Sequence, residues 1–133
     1  MKNTAGGKAY KGRETILLVD DEEMIADIGK RMLEKLGYRV LLAESGKSAL
    51  KVYEDHRDSI NLIILDMIMP DMGGSETYDQ LKVINPQVKV LLSSGYSIDG
   101  QANEILNRGC NGFAQKPFNV KALARKVREI LDR

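Results

Sequence analysis

A chain of 133 residues carrying 20 Lys plus Arg against 19 Asp plus Glu, a net charge of +1, is long enough for one hydrophobic core and too short for two comfortable ones. That balance excludes a global field drawing the protein to nucleic acid or an acidic membrane, so any charge-based function is local. A single cysteine, Cys110, excludes an internal disulfide and a thiolate zinc cluster, and fits burial as a small apolar residue in a reducing cytoplasm.

Residues 1–13 hold three glycines with Lys2, Lys8, Lys11 and Arg13 and almost nothing apolar, so burial cannot repay their ordering entropy. They read as a flexible lead-in or linker to a single domain over 14–133. Four charges without periodicity, and only Tyr10 to stack, argue against a nucleic-acid-binding arm. No apolar run approaches the length that spans a bilayer, and the N-terminal stretch lacks the apolar centre of a secretion signal, so no membrane insertion is expected.

From Thr15 onward, apolar runs and amphipathic stretches alternate. Strands are predicted at Ile16–Asp20, Tyr38–Ala43, Leu62–Asp66, Val88–Ser93 and Gly112–Gln115. Most are unbroken apolar runs, as in strands buried on both faces. Ile25, Ile28, Met32, Leu33 and Leu36 recur at helical spacing and stop at Gly37, a natural left-handed C′ residue. Ala49, Leu50 and Tyr53 mark a second helix, and Tyr78 and Leu81 a third. Ala102, Ile105 and Leu106 mark a fourth, ending at Gly109. The last carries Val120, Leu123, Ala124, Val127, Ile130 and Leu131 on one stripe with Asn119 as its cap. Five βα units of this kind predict an α/β domain, a parallel sheet covered by helices on both faces.

Ligands of open parallel sheets bind beyond the carboxyl ends of the strands. Here the first strand ends in Asp20 and Asp21, the third in Asp66 and the fourth in Ser93 and Ser94, while the fifth runs into Lys116 and Pro117. Two carboxylates about 4 Å apart repel by roughly 4 kcal/mol at an effective dielectric of 20, so a cation is needed among them. Glu22 and Glu23 read as ordinary acidic residues at a helix N-terminus. Asp66, between "LIIL" and "MIMP", cannot be explained by solvation and needs a partner. His56, in the polar "EDHRDS", reads as a solvated helix end. Arg125, Lys126 and Arg128 read as the wet side of the last helix, and the methionines as core and loop filler.

"ILLVDDE", "LIILDMIMPDMGG", "VLLSSGYS" and "FAQKPF", in this order and spacing, resemble the four signatures of the response regulator receiver domain of two-component signalling. The resemblance covers Glu14 to Arg133. It implies a single doubly wound, flavodoxin-like three-layer sandwich, its five-stranded parallel sheet in the order 2-1-3-4-5 with five helices. Matched residue by residue, it implies Asp66 as phosphoacceptor, with Ser94 and Lys116 completing the reacting set. It also implies a Mg²⁺ ion bound by Asp21, Asp66 and the backbone carbonyl of Ile68, with Asp20 acting through water. The acidic cluster would then be held together by the ion. The phosphoryl donor would be a sensor histidine kinase, a histidine phosphotransfer protein or a small phosphodonor.

The same resemblance implies a switch in which Ser94 moves toward the phosphoryl group and Phe113 swings behind it, altering the surface around the fourth helix, fifth strand and fifth helix for an unidentified effector. Phe113 lacks the hydroxyl of the tyrosine found there in many relatives, so this switch would work through packing. Pro70 and Gly74 fall where the family places proline and glycine, Gly74 being suited to a positive φ, and a cis bond is expected before Pro117. Ile68 and Tyr96 flank the position of the attacking water in relatives and would slow acyl-phosphate hydrolysis. Such a domain assists its own phosphorylation and dephosphorylation and is not an enzyme in the usual sense.

Two other identities compete. A haloacid-dehalogenase-type phosphatase also uses an aspartyl phosphate, Mg²⁺, a Ser or Thr and a Lys, but takes its nucleophile from a D-x-D motif on the first strand, where "DDE" lacks the second aspartate. A receiver-like binding module that is never phosphorylated would not need complete motifs. The lead-in and the "SSGY" turn also resemble receivers at the C-terminal end of hybrid sensor histidine kinases, so the domain is either a free-standing regulator or a piece of such a kinase. No DNA-binding output domain fits after Lys116, and direct nucleic-acid binding is not expected.

Overall fold

The computed structural model describes residues 10–95 and 100–133. Five βα units follow one another: β1 (Thr15–Val19), α1 (Glu23–Lys35), β2 (Arg39–Ala43), α2 (Gly46–His56), β3 (Ile60–Asp66), α3 (Gly74–Ile84), β4 (Val90–Ser94), α4 (Gly100–Asn107), β5 (Gly112–Gln115) and α5 (Val120–Leu131). The strands are all parallel, in the order β2-β1-β3-β4-β5. The expected flavodoxin-like architecture is therefore observed, with strand ends shifted by one or two residues. The two-residue shifts are at β3, which begins earlier, at Ile60, and at β4, which starts at Val90 because Val88 closes a turn with its N–H on Asn85 O.

The unbroken apolar runs are explained by two cores, one on each face of the sheet. Leu17, Val19, Ile63, Leu65, Val90 and Leu92 pack under α2, α3 and α4 against Tyr53, Tyr78, Leu81 and Ile105. Ile16, Leu18, Leu62, Ile64 and Leu91 pack on the opposite face against Leu33 of α1 and Leu123, Val127 and Ile130 of α5. Successive residues thus serve different cores, so neither face tolerates polar side chains until the strand ends. Cys110 is buried, its thiol donating to Val90 O at 3.3 Å, and His56 is exposed at the end of α2.

Helix ends follow their sequence signals. Gly37 and Gly109 have φ of +100° and +110°. After α1, Gly37 N–H donates to Glu34 O and Tyr38 N–H to Leu33 O; after α4, Gly109 and Cys110 repeat the pattern onto Leu106 and Ile105. Both are Schellman closures, which place glycine in the left-handed region. Asn119 Oδ1 accepts from Ala122 N–H and Ser45 Oγ from Ser48 N–H, capping α5 and α2.

Two expectations are corrected. Gly74 does not occupy a positive-φ turn; it is the first residue of α3. A Cβ there would lie 2.8 Å from Met67 Cα and 3.0 Å from Asp66 O, so glycine is required because α3 starts against the backbone of the Asp66 loop. Gly74→Ala is expected to lower stability by about 1–3 kcal/mol, read as a reduced urea midpoint, because backbone must move to admit the methyl. Arg128 is not on a wet face either. It is largely buried, bonding Glu14 at 2.6 Å, Asp132 at 2.8 Å and Lys11 O at 3.2 Å, and it holds the Glu14 carboxyl down at about 2. Lys126 also turns inward, donating to Phe113 O. These bonds, with Gly12 N–H on Leu36 O, tie the entry of the chain to the ends of α1 and α5.

Candidate functional site

Alternation along the strands decides which side chains meet. Val19 pairs with Leu65, Asp66 with Ser93, and Ser93 with Ala114. Residues paired across neighbouring strands share a face, so Asp66 and Ser93 stand above the α1 and α5 side. Asp20, one residue beyond Val19, and Lys116, two beyond Ala114, extend that row on either side. Ser94 and Phe113 belong to the opposite alternation, and Phe113 packs with the α2, α3 and α4 core.

The result is a buried charge cluster. Asp20 is 2%, Asp66 3% and Lys116 7% exposed. Lys116 Nζ lies 2.9 Å from Asp20 Oδ2, 3.3 Å from Asp66 Oδ1 and 3.5 Å from Glu22 Oε1. Asp20 Oδ1 also accepts from Glu22 N–H at 2.9 Å, and Asp66 Oδ1 from Ile68 N–H at 3.5 Å. Asp21, exposed, completes the acidic set: Asp20, Asp21 and Asp66 each place one carboxylate oxygen within 4.8 Å of the others. The peptide bond joining Lys116 to Pro117 is cis, as expected, and Lys116 N–H donates to Ser94 O at 2.7 Å.

Electrostatics follow from burial. Desolvation pushes the Asp66 carboxyl up to about 6; the Lys116 charge opposes the rise and the Asp20 charge adds to it. For Lys116, burial alone would lower the value, but its hydrogen bond to Asp20 and the charges of Asp66 and Asp20 outweigh it and the ammonium form is favoured. One ammonium thus faces more negative charge than it can offset.

Above this cluster opens a cavity of about 570 Å³ lined by Asp21, Glu22, Asp66, Ile68, Ser94 and Lys116 among others. Ser94 is buried, and Ile68 is 58% exposed at the cavity mouth. Tyr96 lies outside the described residues. Every other residue singled out from the sequence for the reacting set or the metal, Asp20, Asp21, Asp66, Ile68, Ser94 and Lys116, reaches this edge, while Phe113 stands one strand residue below it.

Sequence reasoning missed three contributors. Glu22 occupies the N-cap position of α1 without a side-chain cap bond and turns instead to Lys116. Asp71 receives Gly46 N–H and Lys47 N–H on its two oxygens, each at 3.1 Å, clamping the loop after β3 onto the start of α2; these donors, Lys47 N–H first, hold its carboxyl below the usual range. Ser93, buried beside Asp66, has a hydroxyl with no hydrogen-bond partner among the described residues. Asp71 left a signal as a carboxylate in a Pro- and Gly-bearing loop whose obvious partners are the free N–H groups of a helix start, and Ser93 left one as a hydroxyl at a strand end, where Ser94 alone was assigned a role.

A doubly wound parallel sheet with carboxylates, a hydroxyl and a lysine gathered at the carboxyl ends of β1, β3, β4 and β5 defines an α/β domain whose polar site lies where such sheets bind their ligands. The response regulator receiver domain model matches residues 16–128, and the chain belongs to that family. The sensor kinase CckA of Brucella abortus (strain 2308) is 35% identical over 122 residues, which cover 92% of this chain and 13% of that protein. The transcriptional regulatory protein CpxR of Escherichia coli (strain K12) is 34% identical over 119 residues, 89% of this chain and 49% of that protein. The chain thus spans half or less of these curated relatives. Among solved structures, the response regulator protein TrrA of Thermotoga maritima, in complex with Mg²⁺-BeF, is similar with a TM-score of 0.79 and 30% identity, covering 88% of this chain and 98% of that one. Membership in the receiver family displaces the haloacid dehalogenase alternative. Among the described residues, no helix is long and apolar enough to cross a membrane.

Proposed function

We propose that the domain, taken as residues 14–133, is a cytoplasmic phosphoacceptor in which Asp66 receives a phosphoryl group from a histidine kinase or histidine phosphotransfer protein. The observation that carries this reading is a buried aspartate bonded to a buried lysine at the floor of an open cavity. Among the described residues both donors to the Asp66 carboxylate, Ile68 N–H and Lys116 Nζ, meet Oδ1, which leaves Oδ2 as the attacking oxygen. As the Oδ2–phosphorus bond forms, the phosphorus–nitrogen bond of a phosphohistidine breaks and its electron pair stays on the imidazole. Lys116 follows the negative charge onto the phosphoryl oxygens, and Ser94 orients them. The 570 Å³ cavity suits a phosphate because it contains Lys116. The neighbouring cleft of about 850 Å³ presents Asp20, Asp21, Glu23, Asp27 and Glu44 and repels one.

The donor set fits a hard divalent cation: three carboxylates converge, and one ammonium leaves them undercompensated. Asp20, Asp21 and Asp66, with the backbone carbonyl of Ile68, would hold Mg²⁺. When bound, the ion supplies positive charge against the carboxylates and the phosphoryl oxygens. Output is then a population shift between two surfaces around α4, β5 and α5, biased by Ser94 and Phe113. Both stand on the α4 side of the sheet, which supports that coupling. The domain serves either a free-standing regulator or a longer kinase, and the resemblance to CckA favours the second as strongly as that to CpxR favours the first.

Intact-mass analysis after exposure to acetyl phosphate and Mg²⁺ tests the reading. One phosphoryl adduct is expected, absent in Asp66→Asn and absent without Mg²⁺; an adduct indifferent to both changes refutes the assignment. Ile68→Asn should shorten the adduct's lifetime several-fold, since it replaces an apolar side chain at the cavity mouth by one that can hydrogen-bond a water. An unchanged decay rate would remove Ile68 from that role.

A further inference from the structure

The hydroxyl of Ser93 is the anomaly. The residue is 1% exposed, its Oγ has no hydrogen-bond partner among the described residues, and it is paired in register with Asp66 on one side and Ala114 on the other. Burying a hydroxyl without a bond costs roughly 1–3 kcal/mol, so such groups are rare and call for an explanation. Ala114 offers no acceptor. Adjacent strands lie about 4.8 Å apart, and paired side chains share a face, so the acceptor-bearing side chain beside Ser93 is Asp66. In the present arrangement Asp66 Oδ1 is already served by Lys116 and Ile68 N–H.

We infer that Ser93 is a positioning residue for the reaction at Asp66: its hydroxyl donates to Asp66 Oδ1 when Lys116 leaves that oxygen for the phosphoryl group. This rests on the phosphoacceptor reading above and extends it to a residue outside the reacting set. Consider loss of the phosphoryl group. A water oxygen bonds to phosphorus, the bond from phosphorus to Asp66 Oδ2 breaks, its electron pair returns to the carboxylate, and both water protons leave on dihydrogen phosphate. Charge grows on Oδ1 as that bond lengthens, so a donor held there gains strength toward the transition state. In phosphorylation the charge on Oδ1 falls instead, and the hydroxyl assists there because its bond, absent at rest, replaces the one that Lys116 gives up as it turns to the phosphoryl group. One hydroxyl therefore assists both directions and has no partner at rest.

The full chain is loaded with acetyl phosphate and Mg²⁺, desalted, and followed by intact mass, with the urea midpoint recorded in parallel. Ser93→Ala is expected to slow both loading and decay by about 3- to 10-fold, the worth of one neutral hydrogen bond, without lowering the midpoint. Ser93→Thr, which retains the hydroxyl, should restore both rates. Loading and decay that match wild type in Ser93→Ala overturn the proposal, as does Ser93→Thr performing no better than Ser93→Ala. Should Ser93→Ala fail to fold, Ser93→Cys, with its far weaker donor, carries the same expectation and the same refutation. A wild-type protein that forms no adduct refutes the phosphoacceptor reading itself, and that result is seen before any variant is compared.

Discussion

Replacing Lys116 by methionine is expected to slow phosphoryl transfer to Asp66 by about 10²- to 10³-fold, the usual effect of removing one preorganised donor from a developing oxyanion. Stopped-flow or intact-mass time courses with acetyl phosphate and Mg²⁺ give the rate. The same variant should lose about 3 kcal/mol of stability in chelator-treated solution, because Asp20 and Asp66 would remain 2% and 3% exposed without their ammonium. Methionine keeps the length of the stem, so the loss is electrostatic rather than a packing defect. Mg²⁺ should recover much of the stability and little of the rate: the ion can offset charge among the carboxylates, but it does not stand where the ammonium meets the phosphoryl oxygens. A variant with wild-type transfer rate would remove Lys116 from the mechanism.

Asp66→Asn should produce the opposite change in stability. Burial raises the folded-state value of this carboxyl to about 6, from 3.8. Between those values the folded protein holds a proton on Asp66 that the unfolded chain releases, so stability falls as pH rises from about 4 to about 6 and stays lower above it. Without Mg²⁺, the asparagine variant should therefore be more stable than wild type by about 2 kcal/mol at pH 7, with the difference closing below about pH 4. Adding Mg²⁺ should reverse the order, since only the wild type offers all three carboxylates. Urea midpoints at pH 4 and pH 7, each with and without Mg²⁺, supply the comparison. An asparagine variant no more stable than wild type at pH 7 without the ion would show that Asp66 carries no burial penalty.

These two results together would show a fold that gives up stability at its functional edge. The acids and the lysine are confined there by the ends of strands whose middle residues are mostly apolar, and a divalent cation bound among them would relieve the negative charge that the protein alone leaves uncompensated. Ser93 fits the same picture, as a polar group whose bond is made only during the reaction.

Much of this was legible in residues 15–133 because the signals are local. Strands buried on both faces must be apolar throughout, helix ends in left-handed closures require glycine at positions such as Gly37 and Gly109, and a carboxylate closing "LIIL" has to find a cation. The identity of the site residues followed from motif resemblance and strand-end position. Tertiary structure decided what depends on distant chain segments meeting in space. Gly74 is glycine because Met67 Cα and Asp66 O approach it, Arg128 is drawn in by Glu14 across 114 residues of sequence, and Glu22 caps nothing because Lys116 lies within its reach. Above all, the pairing that puts Ser93 beside Asp66 is a register between two strands, and register is set by the packing of whole faces rather than by any residue's neighbours in sequence.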